Sequence, residues 1–332
     1  MRKLAVIGAG SWGTTVSALA AGKTPVALWA RRPALAKSIS ATRVNDHYLP
    51  GVALPENVSV TSNLDEAVDG AEVVAIAVPS HGFRMVFNEL VPLLDHGVPV
   101  VSLTKGIEQE TLATMTEVIA EEAPEHHRDV IGVMTGPNLA TEVALGQPAA
   151  AVVAMGGDSA ARTVQDVFMG PTFRVYTNDD VVGCELGGAL KNVMAIAAGM
   201  SDGLGFGDNT RATLITRALA ELTRLGVALG GRPSTFAGLA GMGDLIATCI
   251  SPMSRNHRVG FLMAQGRSLE EIVSEMNMVA EGVKTTTSVL GLAARAGVEM
   301  PIAEHVSMVL NDGVHPKVAV LRLMSRQAKA EI

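Results

Sequence analysis

Short, almost fully apolar runs alternate with amphipathic segments over the first half of the chain. The strand-like runs cover residues 3–9, 25–30, 57–61, 71–79, 98–106, 130–137, 149–156 and 173–177. Helix-like segments, among them 82–94 and 158–170, lie between most of these runs. Apolar strands that alternate with helices are typical of a parallel sheet covered on both faces. The pattern predicts an α/β domain with a doubly wound, Rossmann-type sheet over residues 1–177.

From residue 178 onward the pattern changes to long amphipathic segments without a convincing strand. Asn178 or Asp179 is placed to cap the helix that carries Lys191. The further helices are predicted at 208–230, 234–248, 255–266, 281–297, 301–312 and 316–329. The sequence therefore predicts an all-α second domain over residues 178–332, with a ligand cleft between the two domains.

Composition narrows the classes of function. The chain has 332 residues and a net charge of −7, and only 3% of its residues are aromatic. An acidic protein with few aromatic side chains is a poor match for nucleic acid or for anionic membranes. No uncharged apolar stretch reaches the roughly 18 residues that span a bilayer, and the N-terminal apolar run is too short for a signal peptide. We expect a cytoplasmic protein without membrane insertion.

The sequence has no motif that is typical of a metal site or of a disulfide framework. Cys184 and Cys249 are the only cysteines, and neither they nor the eight histidines have the spacing of a metal site. We expect two reduced thiols in the core and no bound metal.

The first apolar run leads directly into Gly8-x-Gly10-x-x-Gly13, which opens a helix-like segment and is followed by a second strand. In this context the three glycines form a dinucleotide fingerprint. Gly8 permits the tight turn, Gly10 lets the pyrophosphate approach the backbone, and Gly13 lets the helix pack on the strand. The helix N-terminus faces the phosphates.

The end of the second strand favours NADP over NAD. NAD-binding proteins place a carboxylate there for the ribose 2′-hydroxyl, but this chain has Arg31 and Arg32 and no acid. Two guanidinium groups suit a 2′-phosphate. The alternative is that one arginine stacks on the adenine and that NAD also binds.

Lys191 is the only positive charge in the segment 185–199, and Gly187 and Gly188 are among its neighbours at helical spacing. One interpretation is that its stem lies on apolar surface while the ammonium reaches water. The other is that Lys191 faces the cleft, where the two glycines leave space for a ligand.

Other polar residues stand at positions that suit a ligand. Lys105 ends a predicted strand, where open α/β sheets bind their ligands, and Asp244 lies in a glycine-rich turn. Ser254, Arg255 and Asn256 are consecutive at a predicted helix start, which favours an anion. Three simpler interpretations stay open: that Asp244 and Ser254 only cap helices, and that Glu281 is an ordinary first-turn carboxylate.

These segments together resemble the bacterial sn-glycerol-3-phosphate dehydrogenase family, whose soluble members use NAD(P). The resemblance follows the chain in order through "GAGSWGTT", "AVPS", "TKGIE", "GPNLATEV", "GGALKNVMAIAAG", "GDNTRATLITR", "GLAGMGDLIATC", "SRN" and "AEGVKT". It implies reversible reduction of dihydroxyacetone phosphate to sn-glycerol 3-phosphate, which supplies phospholipid synthesis. It also implies a homodimer.

The resemblance also assigns roles to residues. Lys191 is implied as the proton donor and acceptor. The implied substrate residues are Lys105, Gly136, Asn138, Lys191, Asp244, Ser254, Arg255 and Asn256. The implied cofactor residues, besides the three glycines, are Ser11, Trp12, Arg31, Arg32, Lys105, Ala140, Arg255, Val279 and Glu281. Asn138 stands where family members often have Ser or Thr after Gly-Pro.

Two other functions remain open at this stage. A β-hydroxyacid dehydrogenase also joins a dinucleotide domain to helices that bear a lysine, but it acts on a carboxylate and leaves "SRN" without a role. A catalytically silent dinucleotide sensor would have no need of Lys191, Lys105 and Asp244 together.

Overall fold

The computed structural model describes residues 3–123, 125–126, 128–276, 280–328 and 330. Its strands are β1 (Leu4–Ile7), β2 (Val26–Trp29), β3 (Val44–Asn45), β4 (Leu49–Ala53), β5 (Val58–Thr61), β6 (Val73–Ile76), β7 (Val100–Ser102), β8 (Ile131–Thr135), β9 (Ala149–Met155) and β10 (Phe173–Asn178). Eight of them form one sheet in the order β10-β9-β8-β7-β6-β1-β2-β5, and β3 and β4 form a separate hairpin. The Rossmann-type sheet is confirmed.

The prediction that all strands are parallel is wrong. β9 is antiparallel to β8, so β9 and β10 run against the other strands of the sheet. A strand that is buried on both faces is apolar in either direction, so its sequence pattern carries no information about orientation. The hairpin of β3 and β4 was not predicted either, because its strands are short and only partly buried.

Helices cover both faces of this sheet. They are α1 (Ser11–Ala20), α2 (Pro33–Thr42), α3 (Leu64–Val68), α4 (Phe83–Leu90), α5 (Met115–Glu122), α6 (Ala140–Ala144) and α7 (Asp158–Phe168). The two faces bury separate apolar clusters, one of which includes Leu28 and Phe173 and the other Ile7 and Phe87. The carboxyl ends of β1, β2, β6 and β7 meet at one edge of the sheet because these strands are parallel.

The second half of the chain is helical, as predicted. Its helices are α8 (Val181–Gly203), α9 (Asp208–Ala228), α10 (Pro233–Phe236), α11 (Asp244–Ile250), α12 (Arg255–Ala264), α13 (Leu269–Glu275), α14 (Glu281–Ala296), α15 (Pro301–Asn311) and α16 (Pro316–Met324). α8 is the central helix of this half. It is long and apolar enough to cross a membrane, but 83% of its most apolar window is buried inside the protein.

Two local predictions in this half are wrong, and one helix was not predicted. The helix predicted at 234–248 is divided into α10, a π-helical turn at Leu239–Gly243, and α11. The turn depends on glycine: a Cβ atom on Gly241 would lie 2.2 Å from the Phe236 carbonyl oxygen. Asp180 caps α8, with its carboxylate accepting from Gly183 N at 2.9 Å, in place of either residue predicted. α13 was not predicted.

Glu185 joins the two halves of the protein. Its carboxylate is buried in α8 and accepts hydrogen bonds from the backbone N–H of Thr116, at 2.9 Å, and from the Thr116 hydroxyl at the start of α5. Burial raises the pKa of Glu185 to about 7, although the Thr116 hydrogen bonds act in the opposite direction.

This raised pKa predicts a pH-dependent contribution to stability. The folded protein binds a proton at Glu185 more tightly than the unfolded chain, so the contribution of this group falls as pH rises from its ordinary pKa of 4.5 to about 7. We expect the free energy of unfolding of the parent, relative to Glu185→Gln, to fall by about 2–3 kcal/mol between about pH 5 and pH 8. Urea unfolding of both proteins measures it, and a difference that does not vary with pH would contradict this prediction.

Candidate active site

The glycine loop after β1 has the geometry that the fingerprint predicts. Gly8 has a φ of 120°, and a Cβ atom there would lie 2.7 Å from the Ala77 carbonyl oxygen. A Cβ atom on Gly13 would lie 1.8 Å from the carbonyl oxygen of Gly8. Around Gly10, by contrast, a Cβ atom would meet no described atom within 4 Å. The loop is therefore tight at its ends and open at Gly10, where the N-terminus of α1 has space for a pyrophosphate.

The arginine pair lies at the same edge of the sheet, because β1 and β2 are parallel neighbours. Arg31 and Arg32 follow β2 after Ala30 and are exposed. Arg32 donates to the Tyr48 hydroxyl at 3.3 Å and lies 5.7 Å from the centre of its ring. Next to the glycine loop, Ser11 begins α1. The centre of the Trp12 indole ring lies 6.3 Å from the centre of the Phe173 phenyl ring. This edge could hold the adenosine half of NADP.

Lys191 lies at the centre of a buried polar cluster and does not reach water. Its ammonium is 3.1 Å from one carboxylate oxygen of Asp244 and donates to the Thr248 hydroxyl at 2.6 Å. Lys105 donates to the other Asp244 oxygen at 2.6 Å and to the Gly136 carbonyl at 2.9 Å. Lys191 is 6% exposed and Asp244 is 2% exposed. The interpretation that Lys191 extends to solvent is therefore wrong.

The charges in this cluster shift one another's proton affinities. Burial, together with the positive charge of Lys105, lowers the pKa of the Lys191 ammonium to about 8, although Asp244 acts in the opposite direction. Burial alone would raise the pKa of the Asp244 carboxyl, but the two ammonium groups outweigh burial and hold it below its usual range. Lys191 can therefore exchange a proton near neutral pH while Asp244 stays ionised.

The two glycines beside Lys191 serve protein packing, and the expectation that they leave space for a ligand is wrong. A Cβ atom on Gly187 would lie 2.5 Å from the Ala240 carbonyl oxygen in the π-helical turn. A Cβ atom on Gly188 would lie 2.6 Å from the Thr135 hydroxyl at the end of β8. These close approaches bring α8 against both the sheet and the turn that leads to Asp244.

Asn256 belongs to a chain of side-chain amides between the two halves. Its amide nitrogen donates to the Asn192 side-chain oxygen at 2.9 Å, and its own oxygen accepts from Gly282 N at 2.9 Å. Asn192 in turn donates to the Lys105 carbonyl at 3.0 Å. The Ser254 hydroxyl accepts a hydrogen bond from His257 N at 3.3 Å. Ser254 therefore does cap α12, as the simpler interpretation predicts. Arg255 is the exposed first residue of α12.

Asn138 lies in the loop after β8 with a side chain that is unsatisfied among the described residues. Both polar atoms of its amide are buried and lack a hydrogen-bond partner there. Gly136, with a φ of 140°, lies beside that amide. Ala140 begins α6, and its carbonyl accepts from the Thr15 hydroxyl at 3.2 Å. A buried amide without a protein partner fits a side chain that binds a ligand.

Glu281 is the first residue of α14, and its carboxylate binds the sheet domain. It accepts from Ser80 N at 3.2 Å and from the Ser80 hydroxyl at 2.6 Å, in the loop after β6. A Cβ atom on Gly106 would lie 2.5 Å from the Cβ of Ser80, so this contact explains the glycine after Lys105. Val279, also expected at the cofactor, lies outside the described residues.

Sequence reasoning missed Thr248, Asn192 and Ser80. Thr248 follows Asp244 by one helical turn, so it had to share that face of α11. Asn192 directly follows Lys191, but its contact with Lys105 comes from another element and has no local signal. The same holds for Ser80, which meets Glu281 across a long interval of sequence.

A dinucleotide loop at a sheet edge and a buried, charge-tuned lysine define the class of NAD(P)-dependent dehydrogenases with a helical second domain. Residues 3–161 and 180–321 match the N-terminal and C-terminal parts of the NAD-dependent glycerol-3-phosphate dehydrogenase family. The chain belongs to this family.

Relatives support the same assignment. The glycerol-3-phosphate dehydrogenase [NAD(P)+] of Citrifermentans bemidjiense is 53% identical over 99% of this chain and 98% of its own. That of Streptomyces coelicolor is 52% identical over the same shares. The crystal structure of glycerol-3-phosphate dehydrogenase from Coxiella burnetii superposes with a TM-score of 0.93 at 37% identity, and covers 98% of this chain and 99% of its own.

Proposed function

We propose that this protein catalyses the reversible reduction of dihydroxyacetone phosphate to sn-glycerol 3-phosphate, with NADPH as the preferred cofactor and NADH as the second. The observation that carries the proposal is the buried Lys191–Asp244–Lys105 cluster beside the carboxyl edge of the sheet. Family membership supplies the substrate class.

Lys191 is the proposed general acid and base. A bound reduced nicotinamide would supply the hydride for the C2 carbonyl, and the Lys191 ammonium donates a proton to the oxygen of that carbonyl. In the oxidation the neutral amine takes that proton back. Asp244 and Thr248 hold the ammonium in place from two sides.

The substrate phosphate is proposed to bind at the start of α12. The guanidinium of Arg255 supplies positive charge, and the helix N-terminus favours an anion. Asn256 has one amide hydrogen left after its bond to Asn192, and it can donate this hydrogen to a phosphate oxygen. The bonds of the amide chain hold Asn256 in place for this contact. The buried amide of Asn138, which has no hydrogen-bond partner in the described part of the chain, is the proposed contact to the rest of the substrate.

The oligomeric state and the metabolic role follow from the family resemblance, and the cytoplasmic location follows from the sequence pattern. We infer a cytoplasmic homodimer whose product supplies glycerophospholipid synthesis. We also infer that the boundary between the two domains lies between residues 177 and 178. The protein takes a small phosphorylated substrate, and neither nucleic acid nor a metal ion has a part in the reaction.

The assay that tests the function follows NADPH absorbance with dihydroxyacetone phosphate and with unphosphorylated dihydroxyacetone. We expect a much higher kcat/KM for the phosphorylated compound, and NADP reduction when sn-glycerol 3-phosphate is supplied. Faster oxidation of a β-hydroxy carboxylate would favour the β-hydroxyacid dehydrogenase reading. Tight cofactor binding without turnover of any of these compounds would favour the sensor.

Cofactor preference gives a separate prediction. Replacing both Arg31 and Arg32 with Gln should weaken NADPH binding by about 10–150-fold, which is the usual contribution of a hydrogen bond to a charged group. NADH lacks the 2′-phosphate, so its affinity should change little. Titration of both cofactors measures this, and equal losses would show that the arginines do not recognise the 2′-phosphate.

A further inference from the structure

The bond between Glu281 and Ser80 fixes the first turn of α14 against the loop after β6. The carboxylate takes both donors of Ser80, the backbone N–H at 3.2 Å and the hydroxyl at 2.6 Å. Residues three apart on a helix share a face. Lys284 therefore lies on the same face of α14 as Glu281, toward the residues that follow Ser80.

The charges around this loop agree with that placement. His81 directly follows Ser80. Burial is the largest cause that lowers the pKa of His81, and the positive charges of Lys284 and, more weakly, Arg31 lower it further. Lys284 is half-buried, and among the described residues its ammonium has no hydrogen-bond or salt-bridge partner. An ammonium without a partner among the described residues thus lies beside a loop at the carboxyl edge of the sheet.

The order of the strands indicates which part of a dinucleotide this ammonium faces. β1 lies between β6 and β2, and all three are parallel. The open glycine loop follows β1, and the arginine pair follows β2 on the far side. Lys284 approaches from the β6 side, so the pyrophosphate over the glycine loop is nearer to it than a 2′-phosphate at the arginines.

We propose that Lys284 is a further cofactor-binding residue, which the helical half contributes across the domain junction to the pyrophosphate of the dinucleotide. The proposal rests on the cofactor site of the proposed function. Because the pyrophosphate is common to NADPH and NADH, Lys284 contributes to the affinity of both. The Glu281–Ser80 bond positions it, so cofactor binding also ties the helical half to the sheet.

The test is a fluorescence titration of Lys284→Met with NADPH and with NADH, at low and at high salt. We expect Kd for both cofactors to rise about 10-fold at low salt, and the salt dependence of Kd to become weaker than in the parent. Lys284→Arg should keep most of the affinity. The matched control is Lys317→Met, an exposed lysine at the start of α16, which should bind like the parent.

Unchanged Kd values for both cofactors in Lys284→Met would overturn the proposal. A loss confined to NADPH would also contradict it, because it would place Lys284 at the 2′-phosphate. The readout is binding and does not depend on turnover. A parent protein that binds both cofactors but does not reduce dihydroxyacetone phosphate would therefore contradict the proposed function alone.

Discussion

Replacing Lys191 with Met is expected to lower kcat for dihydroxyacetone phosphate reduction by about 100- to 10,000-fold, the usual contribution of a positioned acid or base. Met has a similar length and removes the ammonium whose pKa burial lowers to about 8. Asp244 keeps Lys105 as its partner, so the fold should survive. Cofactor Kd should stay near the parent value. Stopped-flow absorbance of NADPH measures the rate.

The control for this variant is Lys317→Met, which removes an exposed lysine far along the chain and should have the activity of the parent. A Lys191→Met protein with nearly normal kcat would show that Lys191 is a structural partner of Asp244 and that another group carries the proton.

Replacing Asp244 with Asn should have the largest effect on stability. The carboxylate is the counter-charge of two ammonium groups, at 2.6 Å from Lys105 and 3.1 Å from Lys191. Without it, Lys191 is a buried cation that lacks compensation, and breaking a buried ion pair in this way costs about 3–5 kcal/mol. Urea unfolding measures the loss. We also expect activity to fall, because the remaining Lys105 lowers the proton affinity of Lys191 further.

Two comparisons sharpen this prediction. Adding Lys191→Met to Asp244→Asn removes the uncompensated cation, so the double variant should recover part of the lost stability. Asp158→Asn breaks an exposed helix pair with Arg162 and should cost at most about 1 kcal/mol. If Asp244→Asn cost no more than Asp158→Asn, the cluster would not be the buried ion network described above.

The fold class was predictable because the pattern of apolar positions separates buried strands from amphipathic helices. The direction of β9 was not, since a strand buried on both faces looks alike in either orientation. The division of the segment 234–248 depends on the contact of Gly241 with Phe236, which the local pattern does not contain. α13 had a usable signal that was overlooked: Ser268 and Glu271 form a capping box.

The site was predictable where one segment carries its own chemistry, as in the glycine loop and at Lys191. Its connections were not. The residues that pack against Gly187 and Gly188 lie on the turn before Asp244 and on β8. Because these elements are distant in sequence, the segment around Lys191 predicted space for a ligand where other parts of the protein pack. The bonds of Asn256 to Asn192 and Gly282 likewise join three helices, and they limit how this amide can reach a phosphate.

The central claim, that Lys191 carries the proton, is tested most directly by the pH dependence of kcat/KM in both directions. kcat/KM reports groups of the free enzyme, and the pKa of Lys191 is about 8. Reduction needs the ammonium, so its kcat/KM should fall as pH rises through about 8, while that of sn-glycerol 3-phosphate oxidation should rise over the same range. The residual activity of Lys191→Met should lose both inflections. Profiles that keep the inflection near pH 8 in Lys191→Met would contradict the claim.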